Sequence, residues 1–340
     1  MRGGGGPRGL NPNAPPAMNQ ELREMRDAII HCDGSPEMCR NLSGLLAHDL
    51  PALTEPALKF IMECVQELPV KTPVYATLVG LLNPKVPAFV EDVVRDAIER
   101  IEATLRSDDV SDRTRARLLL RFVALLPSVG VMEPSAAVDV LDAVVCAALA
   151  AADAAEPGWQ PRADFLVYAV LAVMPWAGRT LSLGEGEGAF ERLMQSAEEY
   201  LGKRRQGPDP AAMIFASDAT DDWLEEIWGR VNEVRKAGRQ NAESWTVRSV
   251  PPVTTAFEEE LREAEGDNHV PPPLAVPNVS YDGPAAALAA FPVRPRLRCV
   301  FRRSRRPLGV FVILAGSGDV VVAVTITHFL YNLVNPLTVG

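Results

Sequence analysis

Cysteine, histidine and aromatic residues are all scarce in this sequence. The five cysteines lie apart, at 32, 39, 64, 146 and 299, and the four histidines stand at 31, 48, 269 and 328. That spread carries no disulfide framework, and no secretory-type stretch opens the chain, so a reducing compartment is expected. His31, Cys32 and Cys39 come nearest to a metal site, but their spacing matches no standard zinc pattern. An excess of positive charge is missing as well. Thirty-four Lys and Arg against 44 Asp and Glu leave a net charge of −10, which disfavours binding nucleic acid through a general basic surface. Any RNA contact would need a local patch or a partner.

Catalytic signatures are absent in the same way. No Gly-x-Ser-x-Gly elbow occurs, and no cysteine sits in a nucleophile motif. Leu183–Gly188 is glycine-rich, yet it follows no strand and carries Glu185 and Glu187, which repel a phosphate; it reads as a flexible interhelical loop. Gly316-Ser317-Gly318 lacks the lysine of a phosphate loop and reads as a turn. Asp221-Asp222 and Glu225-Glu226 open a helix, where carboxylates suit the dipole. The expectation is a protein that is not an enzyme, with no catalytic residue, no cofactor and no metal.

What the sequence does have is helical periodicity. Hydrophobic residues make up 47% of the chain and charged ones 23%, a globular balance, and 340 residues suggest about two domains. Residues 1–18 are Gly, Pro and Asn with little to bury, and are expected to be a disordered tail. From 19 to 240 the pattern predicts helices near 19–31, 37–48, 56–67, 73–83, 88–105, 112–126, 135–153, 163–174, 189–204 and 220–237. In 88–105, Val90, Val93, Ala97, Ile101 and Leu105 form one apolar stripe. Glu91 with Arg95, and Asp96 with Arg100, are spaced as solvent-side ion pairs. Asp33-Gly34-Ser35-Pro36, Leu50-Pro51, Leu68-Pro69, Asn83-Pro84, Leu126-Pro127 and Glu133-Pro134 punctuate the helices. Short connections make neighbours antiparallel. The fold class is therefore all-α: an α-solenoid of antiparallel helix pairs, HEAT-like in architecture although no fixed repeat is visible.

Aromatics and basic clusters have plain structural readings. Trp223 and Trp228, with Leu224, Ile227 and Val231, fit a packed stripe better than a base-stacking platform. Tyr75 and Tyr168 lie inside apolar runs and read as core residues with satisfied hydroxyls. Lys203-Arg204-Arg205 and the set Arg235, Lys236, Arg239 each close a helix, where cations suit the C-terminal dipole. Residues 241–302 read as a proline-rich linker with one short helix near 254–264, either lying on the solenoid or mobile.

Four segments are more specific than composition. They are Leu46–Pro51, Pro73–Asn83 (PVYATLVGLLN), Phe165–Leu181 (FLVYAVLAVMPWAGRTL) and Tyr200–Arg205 (YLGKRR). In this order and spacing they closely resemble the large subunit of the nuclear cap-binding complex, over roughly 20–240 and briefly again at Leu297–Arg302. The resemblance implies a helical domain of the type of the middle domain of initiation factor 4G, the first of three in that family. It implies a non-catalytic scaffold whose partner, a small subunit with an RNA-recognition fold, holds the 7-methylguanosine cap. Roles in splicing, export and nonsense-mediated decay, contacts with processing and export factors, and a nuclear location with shuttling to the cytoplasm follow from it. In the family the small subunit docks mainly on the second and third domains, so this chain is expected to bind it weakly or not at all. Residues 1–17 lack the basic import signal common in the family. No cap-contacting residue is expected in this chain, and a membrane partner is not expected. The alternative is a generic helical adaptor or a truncated, inactive fragment.

Residues 303–340 resemble nothing in the family. An arginine run (Arg302, Arg303, Arg305, Arg306) precedes an apolar stretch, 308–334. A membrane span there would bury Asp319. A hairpin of Val310–Leu314 with Val320–Thr327 has a good turn but no sheet to join. The favoured reading is sequence foreign to the family, an artefact of the gene model.

Overall fold

Helices account for nearly all of the residues that the computed structural model describes, which are 20–107, 109–155, 159–182, 186–204, 222–240 and 268–276, with 311–313 and 322–324. The chain divides into two units, Met1–Ser280 and Tyr281–Gly340.

In the first unit, α1 (Gln20–His31) leads into α2 (Pro36–Glu67), then α3 (Thr72–Leu82), α4 (Pro87–Arg106) and α5 (Val110–Leu125). Next come α6 (Pro134–Ala154), α7 (Gln160–Leu171), α8 (Met174–Leu181), α9 (Glu187–Lys203) and α10 (Trp223–Gln240). Sequential pairs stack: α1 on α2, α2 on α3, α4 on α5, and α6 on both α7 and α9. The stripe on α4 is buried as its spacing demands, with Val90, Val93, Ala97 and Ile101 wholly covered and Leu105 nearly so. Its opposite face carries the ion pairs Glu91–Arg95 at 3.2 Å and Asp96–Arg100 at 2.5 Å. These are i,i+4 pairs in or near solvent and contribute only about 0.2–0.5 kcal/mol each.

Two boundaries differ from the sequence expectation. The helices expected at 37–48 and 56–67 are present as two helical segments that run together in α2 and are separated by a kink at Leu53 (φ −130°, ψ 29°). Pro51 and Pro56 each lack a backbone donor, and the Thr54 hydroxyl donates to the Leu50 carbonyl at 2.6 Å, so the helical ladder is interrupted at the kink. Conversely, the apolar helix expected over 163–174 ends at Leu171, and Met174–Leu181 forms a separate helix. Pro175 does not end α7; it sits in the first turn of α8, where its missing N–H has no intrahelical partner to lose.

α3 is the most enclosed element: every residue from Thr72 to Leu82 is buried. It packs on α2 and α5. The one helix long and apolar enough to cross a membrane by length and composition, among the described residues, is α6. Here its Val138, Leu141, Val144 and Val145 stripe is covered by its helical neighbours.

The proline-rich segment lies on the helical body where it is described. The His269 N–H donates to the Val131 carbonyl at 2.8 Å, and the Ala275 N–H donates to Glu102 Oε1 at 2.8 Å. Asn268 Nδ2 donates to Glu133 Oε1 at 2.6 Å. Residues 268–276 thus form an extended strap.

In the second unit, β1 (Phe311–Ile313) pairs antiparallel with β2 (Val322–Val324), Val312 opposite Ala323. This is the pairing of the hairpin reading. The expected tail at 1–18, the short helix near 254–264 and the arginine run lie outside the described residues.

Candidate functional site

Among the described residues, the buried charged, amide and imidazole side chains gather at three places, each formed by side chains distant in sequence. The largest is centred on Asp164. This carboxylate stands in α7 just before its apolar run Phe165–Leu171 and is almost fully buried. It accepts from Tyr200 Oη at 2.7 Å, from Arg204 Nε at 2.9 Å and from Arg204 Nη2 at 3.2 Å. Arg204 Nη1 turns the other way and donates to Asp222 Oδ2 at 2.7 Å. Asp222 also caps α10, its Oδ1 accepting from the Leu224 N–H at 3.1 Å and the Glu225 N–H at 3.3 Å. One guanidinium therefore ties α7, the end of α9 and the start of α10. Burial alone would lower the Arg204 guanidinium, but its bonds to Asp222 and Asp164 outweigh that and hold it above its ordinary value. Burial and the bond to Asp164 push the Tyr200 phenol up, so it remains a donor.

The second place is a ladder of arginines on α5 against aromatics of α7 and α8. Arg113 lies over the Phe165 ring at 5.8 Å, Arg117 over Tyr168 at 5.9 Å and Arg121 over Trp176 at 3.8 Å. Arg117 Nη1 also donates to Tyr168 Oη at 2.8 Å, and Arg121 Nη1 donates to the Pro69 carbonyl at 3.0 Å. The rings and the carbonyl offer Arg121 negative faces without a carboxylate. Burial, reinforced by the charge of Arg117, brings the Arg121 guanidinium down to about 9, so it stays cationic at neutral pH.

The third is Asn83, at the end of the wholly buried α3. Its Nδ2 donates to the Gly130 carbonyl at 3.1 Å, and its Oδ1 faces His269 Nε2 at 2.8 Å. With Oδ1 an acceptor, the tautomer that satisfies both carries the proton on Nε2. The amide thus joins α3, the turn before α6 and the strap, which is 186 residues away in sequence.

Several sequence expectations are met and one is corrected. Tyr75 is buried with its hydroxyl on the Ile29 carbonyl at 3.3 Å. Tyr168 is half-buried, its hydroxyl held by Arg117. Leu224 and Val231 are buried on α10, and Trp228 packs beside them; the side chain of Trp223 lies outside the described residues. Lys203 is an exposed helix-end cation, paired with Glu199 at 2.7 Å and Asp153 at 2.8 Å. Arg204 is not such a cation: it is buried in the Asp164 cluster, and only tertiary packing separates it from its neighbour. Arg205 lies outside the described residues. Arg235 on α10 pairs with Glu191 on α9. Of the glycine-rich run at 183–188, residues 183–185 lie outside the described residues, and Gly186 is closely enclosed. A Cβ on Gly186 would meet the Leu181 carbonyl oxygen and the Pro134 Cβ, both at 2.8 Å.

In these three places every acid or base with a hydrogen-bonding role is engaged by a structural partner. Chemically the arrangement can clamp helices and present their outer faces. No group of three or more His, Cys, Asp or Glu side chains is placed to hold a metal ion among the described residues. His31 is exposed and bonds the Asp27 carbonyl, while Cys32 and Cys39 are buried beside each other. Asp164 was detectable in principle, as a carboxylate at the edge of the apolar run Phe165–Leu171; Arg204 and His269 carried no local signal.

The MIF4G domain model matches residues 37–225. The chain is similar to nuclear cap-binding protein subunit 1 of Oryza sativa subsp. japonica, 30% identical over 241 residues, 69% of this chain and 26% of that protein. The proteins of the same name from Arabidopsis thaliana and Anopheles gambiae are 28% and 29% identical, over 64% and 75% of this chain. The chain spans 26% and 31% of those two relatives' lengths.

Proposed function

The chain belongs to the MIF4G-domain family, and on that premise we propose that it is a non-catalytic helical scaffold of the nuclear cap-binding type. It acts on capped RNA through a small subunit of RNA-recognition fold, which holds the 7-methylguanosine cap. The observation that carries this reading is the long similarity to three cap-binding large subunits, running through the helical core. The buried clusters support it, because they use residues of the most family-like segments: Asn83 closes Pro73–Asn83, Asp164 precedes Phe165–Leu181, and Tyr200 and Arg204 belong to Tyr200–Arg205.

The finer reading follows the same line. The chain works in the nucleus in transcript processing, splicing, export and decay surveillance, with shuttling to the cytoplasm, and meets processing and export factors on its outer helix faces. It carries no catalytic, cofactor or metal site and no cap contact of its own. Residues 19–240 are the functional body, 241–302 a linker whose strap returns to it, and 303–340 are foreign to the family; sequencing the transcript across codon 303 tests that last boundary.

The test of the scaffold reading is retention on a 7-methylguanosine resin. The purified chain alone should pass through, and titration with a cap analogue should show no methyl-dependent saturation. Adding the small subunit should bring a fraction of the chain onto the resin, released by free cap analogue. Methyl-dependent binding by the chain alone would refute a scaffold that leaves the cap to its partner. No retention even with the small subunit would favour a generic helical adaptor.

A further inference from the structure

Cys32 and Cys39 take no part in the helix clamps. Both are fully buried, and their sulfurs lie 3.8 Å apart. Cys32 immediately follows α1 and Cys39 is the fourth residue of α2, so the pair spans the turn between the two helices. That turn is well ordered by its own bonds. The Asp33 carboxylate accepts from the Ser35 N–H at 2.8 Å, Gly34 takes a left-handed φ of 85°, and the Cys39 N–H donates to the Ser35 carbonyl at 2.9 Å. Lys71 reaches across to the Ile30 carbonyl at 2.8 Å, placing a cation beside the turn.

We propose that Cys32 and Cys39 are a reversible redox pair, which hydrogen peroxide oxidises to a disulfide tying the end of α1 to the start of α2. The geometry carries it: two thiols already in contact need to close by less than about 2 Å to reach bonding distance. The two are also unequal. The hydrogen bond from Cys39 draws the Cys32 thiol down to about 7, while that same bond and burial push Cys39 up. One sulfur is thus the nucleophile and the other keeps its proton for the second step.

In the first step the Cys32 thiolate attacks one peroxide oxygen. The O–O bond breaks, and the departing hydroxide takes a proton to become water, leaving a sulfenic acid on Cys32. In the second, the Cys39 sulfur attacks the Cys32 sulfur and the S–O bond breaks. The hydroxyl leaves with the proton of Cys39 as a second water. The two thiols lose two hydrogens, the peroxide is reduced to two waters, and a thiol reductant reverses the change. Both sulfurs are out of water, so the oxidant reaches them only when the turn, whose His31 and Asp33 are exposed, opens. The other described cysteines differ: Cys64 is pushed up by burial, and Cys146 by burial and by Asp142.

The experiment treats the full chain with hydrogen peroxide, alkylates it and digests it with trypsin. Cleavage after Arg26 and Arg40 leaves both cysteines in one peptide. That peptide should appear lighter by two hydrogens and unalkylated, and dithiothreitol should restore it, while Cys64 and Cys146 remain alkylated. In Cys39→Ser the reaction should stop at a Cys32 sulfenic acid that dimedone traps; in Cys32→Ser, Cys39 should resist peroxide. Hydrogen exchange across α1 should slow several-fold in the oxidised chain. A doubly alkylated peptide beside an oxidised Cys146 would overturn the proposal. So would dimedone labelling of Cys32 in Cys39→Ser no faster than that of Cys146, or α1 exchange that oxidation leaves unchanged.

Discussion

Replacing Asp164 by Asn tests the clamp at its centre. The substitution keeps the shape of the side chain and one acceptor, but removes the charge that faces Arg204 and turns an amide N–H₂ toward a cation. Both side chains of the pair are nearly out of water, 5% exposed for Asp164 and 2% for Arg204. Breaking such a pair by removing one partner typically costs about 3–5 kcal/mol, because the remaining charge is buried without compensation. Arg204 keeps its bond to Asp222, which is 17% exposed, so the lower end applies: about 3 kcal/mol. In a domain of this size that lowers the melting temperature by roughly 6–12 °C. Urea unfolding followed by circular dichroism reads it as a lower midpoint at constant slope. The double variant Asp164→Leu with Arg204→Met removes both charges and should be less destabilised than the sum of its singles. A cost below about 1 kcal/mol for Asp164→Asn, at the level of an exposed pair, would refute the claim that this ion pair is buried and structural.

Leu171, wholly buried near the end of α7, should cost about 2–5 kcal/mol when cut to Ala, measured by the same unfolding curves. Gly186→Ala should cost about 1–3 kcal/mol, because the new methyl meets a backbone oxygen that cannot swing away; a neutral effect would show that the surroundings of Gly186 yield. His269→Ala leaves the buried Asn83 oxygen without its donor, a loss of about 1–3 kcal/mol local to the strap. The amides of His269 and Ala275 should then exchange about tenfold faster or more, while those of α3 hardly change. Backbone N–H bonds from Ser111 hold the Asp109 carboxyl below its usual range, so its contribution to stability is present above about pH 4 and is lost as pH falls through the lowered value. Asp109→Ala should therefore flatten the acid limb of a stability–pH curve and leave the form of the curve near neutrality unchanged.

Local pattern alone determined much of this protein. The stripe Val90, Val93, Ala97, Ile101, Leu105 encodes its own helix and buried face, since neighbours on a helix surface lie three or four residues apart. The Glu91–Arg95 and Asp96–Arg100 pairs follow from the same spacing, and the family-like segments marked the fold before any contact was known. Tertiary structure decided what periodicity does not record, namely which face meets which. Leu50-Pro51 marked a break, and the chain does kink at Leu53; what periodicity did not record is that the second helical segment follows the first with almost no linker. Pro175 read as a stop and proved to be a start, because a proline is equally at home just after one helix and just inside the next. Lys203 and Arg204 are neighbours of like charge in the chain. One rotates into solvent and the other turns toward Asp164, 40 residues back, where a matching carboxylate compensates the burial of the guanidinium. Asn83 and His269 are 186 residues apart, and neither has a local cue for the other. Their pairing exists because α3 ends in the core, where a buried amide must find its partners wherever the rest of the chain passes.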